Sequence, residues 1–254
     1  MAVEWEAHNQ PEAGRAVLFW DFDGTLAVRE GRWSGALVEA VRLVGPHTSL
    51  RADQVRPLLQ SGFPWHQPDV VVEVTTTAAW WARLRPVIMN AYATVGVAPQ
   101  VANAAADLLP TTYYSPDAWC LVADAVEALE RAQLAGYRNV ILSNHAPELP
   151  DLVRDLGLSP LIELTITSAA VGAEKPNPLI FHYAIDLADA CVERSWMIGD
   201  NPVADIAGAE AAGLRAVLVT PTRENNARTG LLNAVAGLID KVKPHPRGRG
   251  RAFS

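Results

Sequence analysis

Residues 16–25 read AVLFWDFDGT. The apolar run Ala16 to Trp20 is strand length and lacks the strict alternation of a strand with one wet face. It passes directly into Asp21-Phe22-Asp23-Gly24-Thr25, an acid pair followed by a glycine that marks a tight turn. A strand covered on both faces and ending in carboxylates indicates a parallel sheet flanked by helices.

Working outward, four further runs share this character: NVILS at 139–143, IELTI at 162–166, SWMIG at 195–199 and RAVLV at 215–219. Helical stretches separate them. PELPDLVRDLGL sets Leu149, Leu152, Val153 and Leu156 at helical spacing, with Gly157 as a stop signal. PLIFHYAIDLADA begins with Pro178, which suits a first helical turn, and DIAGAEAAGL ends near Gly213, a C-terminal cap. Strand and helix in alternation predict a parallel sheet with helices on both faces.

Residues 28–116 break the pattern. They hold no strong strand but four helical segments, SGALVEAVRLVG, ADQVRPLLQSG, AAWWARLRPVIMNAYATVG and PQVANAAADLLP. This is far longer than an ordinary βα connection and reads as an inserted helical domain. DAVEALERAQLAG at 124–136 leads back to the sheet, and TRENNARTGLLNAVAGLIDKV supplies a closing helix. No internal repeat is found.

The 254 residues are half hydrophobic and 19% charged, ordinary for a globular protein. No apolar run reaches the length of a membrane span. The start, MAVEWEAHNQPEAGR, has acids and no apolar core of a secretory signal. The expectation is a cytoplasmic protein whose two cysteines, Cys120 and Cys191, are reduced, half-buried thiols. The net charge is −7, and Lys241, Lys243, Arg247, Arg249 and Arg251 crowd the last residues without an acid, leaving −12 on residues 1–240. An acidic body argues against general nucleic-acid binding. The Pro-, Gly- and Arg-rich end at 241–254 reads as a disordered basic tail.

Ligands of open parallel sheets bind beyond the carboxyl ends of the strands. The predicted strands there offer Asp21 and Asp23, then Ser143 and Asn144, then Lys175-Pro176 after a short loop, then Asp200, Asn201 and Asp205. Four aspartates in one cleft repel one another and raise some of their pKa values. A hard cation resolves this, and Mg²⁺ favours a few carboxylate oxygens, waters and a substrate phosphate. Lys175 adds a positive charge, and no Cys/His cluster suits zinc. The set predicts a Mg²⁺-held, anionic, oxygen-rich small molecule.

DFDGT at 21–25, LSNH at 142–145, EKPN at 174–177 and GDNPVAD at 199–205 resemble, in order, strand context and spacing, the four motifs of the haloacid dehalogenase superfamily. The resemblance spans essentially the whole chain. It implies a doubly wound, Rossmann-like parallel sheet of five or slightly more strands over residues 1–27 and 117–240, with residues 28–116 as an all-helical cap over the active site. It also implies residue roles. Asp21 is the nucleophile, forming an aspartyl-phosphate. Asp23 is the general acid and then general base, oriented by Thr25, while Gly24 permits the turn. Ser143 and the Asn144 N–H hold phosphate oxygens, and Lys175 offsets the negative charge. Asp200 ligates Mg²⁺ with the Asp21 carboxylate and the Asp23 backbone carbonyl. Asp205 is a ligand through water or a partner of Lys175.

The resemblance also sorts activities. Relatives that dehalogenate lack the second acid, and those that cleave carbon–phosphorus bonds replace it and use a cap lysine. Asp23 is present and residues 28–116 contain no lysine. The expectation is therefore hydrolysis of a small phosphorylated metabolite. A phosphomutase with the same aspartyl-phosphate chemistry and a non-catalytic binding protein on the same frame are the alternatives. The substrate and the oligomeric state stay open. Among the eight tryptophans, Trp20 and the adjacent Trp80 and Trp81 read as packing. Trp33, Trp65 and His66 occupy turn-prone stretches that could line the substrate pocket.

Overall fold

The computed structural model describes residues 14–45, 49–73, 76–220 and 230–242. The stretch at 1–13, read for export signals, and residues 243–254 of the basic end lie outside the described residues.

Five parallel strands form the main sheet: β1 (Val17–Trp20), β4 (Arg138–Ser143), β5 (Leu164–Thr167), β6 (Trp196–Gly199) and β7 (Arg215–Leu218). Their order is β5-β4-β1-β6-β7, so β1 is central and the chain winds first to one side and then to the other. The apolar runs lack alternation because both faces are covered. Leu18 and Trp20 enter one core cluster with Ile141 and Ile198. Val17 and Phe19 enter the other with Val140, Leu142 and Met197. Each such burial stabilises by roughly 1.5–3 kcal/mol before side-chain entropy is counted. Trp20 is fully buried, and its indole N–H donates to Asn139 Oδ1 at 3.1 Å.

Helix α5 (Ala125–Leu134) and helix α10 (Gly230–Val242) cover the first face with Leu129, Leu231 and Val235. Helix α8 (Pro178–Leu187) and helix α9 (Gly208–Ala211) cover the second with Ile180, Phe181 and Ala209. Helix α6 (Leu149–Asp155) and helix α7 (Ser168–Val171) fill connections after β4 and β5. Helix α10 ends at Val242, two residues into the stretch read as a tail.

The insert contains α1 (Arg32–Val44), α2 (Ala52–Val55), α3 (Thr77–Thr94) and α4 (Pro99–Tyr113), plus one-turn 3₁₀ segments at Arg56–Leu59 and Pro64–His66. Helix α4 packs on α1 and α3, and Tyr92 of α3 donates its hydroxyl to Leu37 O of α1 at 2.9 Å. Two short strands join insert and sheet: β2 (Ala27–Arg29) pairs antiparallel with β3 (Trp119–Leu121). This ribbon was not predicted, since three residues are too few for a period to show. The insert is also tied to the core by Val72 N–H to Gly172 O (2.8 Å), Asn177 Nδ2 to Pro68 O (2.9 Å) and Trp81 Nε1 to Glu148 Oε1 (2.7 Å).

Both cysteines are free thiols, but Cys120 is exposed rather than half-buried, because it faces outward on the two-stranded ribbon. Among the described residues no helix is long and apolar enough to cross a membrane.

Candidate active site

The exits of β1, β4 and β6 meet where the winding reverses, the place open α/β sheets use for ligands. A cleft of about 400 Å³ opens there, lined by Asp21, Asp23, Ser143, Lys175, Asp200 and Asp205 together with residues of the insert.

Lys175 organises the floor. Its side chain is 2% exposed, and its ammonium donates to Asp21 Oδ1 (2.9 Å), Asp205 Oδ1 (2.5 Å) and Leu142 O (2.8 Å). All three N–H bonds are thereby used. Burial disfavours the Lys175 charge, but Asp205 and Asp21 outweigh that effect and hold its pKa above the ordinary lysine value. Asn144 fixes the lysine loop through a two-way clasp. Its Nδ2 donates to Lys175 O at 2.9 Å, and its Oδ1 accepts from Lys175 N–H at 2.6 Å. Ser143 Oγ donates to Asp21 Oδ1 at 2.8 Å.

Asp205 is 1% exposed, and its second oxygen accepts from Asn201 N–H at 2.9 Å. Asn201 in turn caps the following turn, accepting from Val203 and Ala204 N–H at 2.9 Å each. That turn, Pro202–Ala207, is a π-helix rather than the expected α-helix, and regular α-helix begins only at Gly208. Such widened turns recur at functional sites. Burial raises the Asp205 carboxyl to about 6 against the opposing pull of Lys175.

Asp23 is raised to about 7, chiefly by burial, with Arg32 opposing and the charges of Asp21 and Asp200 adding to it. Asp200 is raised by burial and by Asp21. Gly24, at φ +99°, turns the chain beneath Asp200, and any Cβ there would collide with the Asp200 carboxylate. At Gly199 a Cβ would meet the Asp205 carboxylate. Thr25 is wholly buried and does not line the cleft, and its hydroxyl has no hydrogen-bond partner among the described residues.

One oxygen from each of Asp21, Asp200 and Asp205 comes within 4.8 Å of the others. A hard divalent cation with ligands at about 2 Å draws oxygens together over this range, and an all-carboxylate donor set suits such an ion. Asp200 and Asp205 are raised chiefly by burial, with the charge of Asp21 adding to it, and a cation would relieve that added repulsion.

Residues of the insert complete the cleft. Arg32, at φ +47° after Gly31, points its guanidinium toward Asp23 Oδ1 (3.6 Å) and Asp200 Oδ2 (4.0 Å). The glycine-flanked stretch EGRWSG is its only cue in the sequence. Trp33, Trp65 and Tyr113 also line the cleft, whereas His66 is exposed and its ring accepts from Phe63 N–H at 3.2 Å. Trp80 is buried in the insert core and Trp81 is partly buried, with their rings at 82°.

Comparison with known proteins identifies the family. The family profile described as haloacid dehalogenase-like hydrolase matches residues 16–213. The mouse protein named haloacid dehalogenase-like hydrolase domain-containing protein 3 is 32% identical over 147 residues, covering 57% of each chain. The ribulose-1,5-bisphosphate 5-phosphatase of Halopiger xanaduensis is 39% identical over 109 residues, covering 42% of this chain and 45% of that one. The chain thus spans about half the length of these relatives. In fold it is similar to the magnesium-bound HAD-hydrolase YfnB of Bacillus subtilis, with TM-score 0.64, 20% identity, and coverage of 89% of this chain and 99% of the other. With the profile covering most of its length, the chain belongs to the haloacid dehalogenase-like hydrolase family.

Proposed function

We propose that this chain is a Mg²⁺-dependent phosphatase that hydrolyses a small phosphate monoester through an aspartyl-phosphate on Asp21. The observation that carries this reading is the meeting of Asp21, Asp200 and Asp205 oxygens beside a fully buried Lys175. The Halopiger xanaduensis relative, a phosphatase by name, supports it.

Asp21 and Asp200, with the backbone carbonyl of Asp23, would hold Mg²⁺. Asp205 has its two oxygens bonded to Lys175 and Asn201, and serves as the lysine's partner. The bound ion supplies charge neutralisation, so that a carboxylate approaches a phosphate dianion.

The chain's own groups do the rest. Ser143 and Lys175 fix one Asp21 oxygen and set the direction from which the carboxylate attacks phosphorus. As the Asp21 O–P bond forms, the bond to the leaving oxygen breaks and Asp23 gives that oxygen a proton. Asp23 then takes a proton from the water that attacks phosphorus, and the Asp21 carboxylate and inorganic phosphate separate. The Asn144 N–H donates to an oxygen of the transferring group, and the Lys175 charge offsets the negative charge there through Asp21, to which it and Ser143 stay bonded. Thr25 supports the turn from inside the protein rather than touching substrate.

Metal removal tests the reading. Phosphate release from p-nitrophenyl phosphate is expected to fall to background in EDTA and to return on adding Mg²⁺ in excess. Release undiminished by EDTA contradicts it.

A further inference from the structure

The cleft has two unlike kinds of lining: the acids with Lys175, and the apolar and aromatic side chains of Trp33, Trp65, Tyr113, Pro68 and Val203. Lys175 is already saturated by three acceptors. Among the described residues lining the cleft, Arg32 is the other cation, and it faces Asp23 and Asp200.

The aromatic wall is pre-assembled. Trp33, in the first turn of α1, stacks on Tyr113 at the end of α4, with centroids 4.2 Å apart and planes at 22°. Trp65 stacks on Phe63 at 4.4 Å and 18°, and its centroid lies 5.7 Å from that of Trp33. Trp33 and Trp65 are only partly buried, so ring surface stays open to the cleft. Rings held by their neighbours lose little freedom when a flat group lands on them.

Resting on the phosphatase reading above, we infer that the alcohol part of the substrate carries a flat aromatic or heteroaromatic ring, which stacks on the Trp33–Trp65 wall. A second phosphate meets an acidic cleft in which Arg32, the other cation among the described lining residues, faces Asp23 and Asp200. A flat ring needs no cation, since stacking on an aromatic side chain depends on the π-face alone. The cleft of about 400 Å³ is at the small end for ligand pockets and admits one such group.

The test compares kcat/KM, from phosphate release in Mg²⁺, for three kinds of ester. 1-Naphthyl phosphate and nucleoside 5′-monophosphates carry rings of the two chemical sources. Glycerol phosphate and phosphoserine carry none, and ribulose bisphosphate carries a second phosphate. At least one ring-bearing ester is expected to exceed the others by on the order of 10-fold. Trp65→Ala should bring that ratio to about one, and Trp65→Phe should restore most of it. Preference for the ringless or doubly phosphorylated esters overturns the inference, as does a Trp65→Ala loss shared equally by all. No release from any ester overturns the phosphatase reading and this inference with it, whereas release with the wrong preference overturns this inference alone.

Discussion

Replacing Asp21 by asparagine is expected to lower phosphate release from p-nitrophenyl phosphate by at least about a thousandfold, with little change in thermal stability. The amide keeps the shape of the carboxylate and can still accept at Oδ1 from Ser143 and Lys175. It loses the charge that attacks phosphorus. Stability is held because Asp205 remains as the partner of Lys175 at 2.5 Å. The substitution also removes one of the charges that raise Asp23 and Asp200. Parallel assays of release and melting temperature, with circular dichroism as a check on the fold, separate the two effects. Activity within tenfold of the parent contradicts the assignment of Asp21.

Lys175→Met is expected to damage both activity and fold. Methionine fills a similar volume but leaves Asp21 and Asp205 facing each other in a buried site with no counter-charge. Removing one partner of a buried pair costs about 3–5 kcal/mol, enough to lower the urea midpoint plainly at pH 7. The deficit should depend on pH in a definite direction. Lys175 pulls the Asp205 carboxyl down, so without the ammonium that carboxyl, already raised to about 6, rises further. Its neutral form is then favoured by folding, so stability is greatest at low pH and is lost as pH rises through the raised value. The gap between variant and parent should therefore narrow from pH 7 to pH 5, measured by urea unfolding in EDTA. A constant gap, or one that widens on acidification, contradicts the role given to Lys175.

Much of this was legible in the sequence for physical reasons. Strands buried on both faces show as apolar runs, and their polar exits are where ligands bind. Asp21, Ser143 and Asp200 therefore announced a shared edge before any coordinates. What escaped has equally physical causes. Ala27–Arg29 and Trp119–Leu121 are too short to carry a period, so the ribbon joining insert to sheet did not show. The side chain of Asn144 clasps a loop 31 residues away, a pairing with no local sequence signal. Helical spacing gives the buried face of α1 and α4 but not how these helices sit over the sheet. Trp33 and Trp65 could thus be noted as turn-prone aromatics, while Arg32 and Tyr113 became visible only with the cleft assembled.

The central claim is that phosphorus becomes covalently bound to Asp21. Acid quench during turnover of a ³²P-labelled monoester in Mg²⁺, followed by borohydride reduction and peptide mass spectrometry, tests it directly. Reduction of an acyl phosphate turns the aspartyl residue into homoserine. The expected result is label on the acid-quenched protein and homoserine at position 21. Turnover with no trapped label, or homoserine at any other aspartate, contradicts the account.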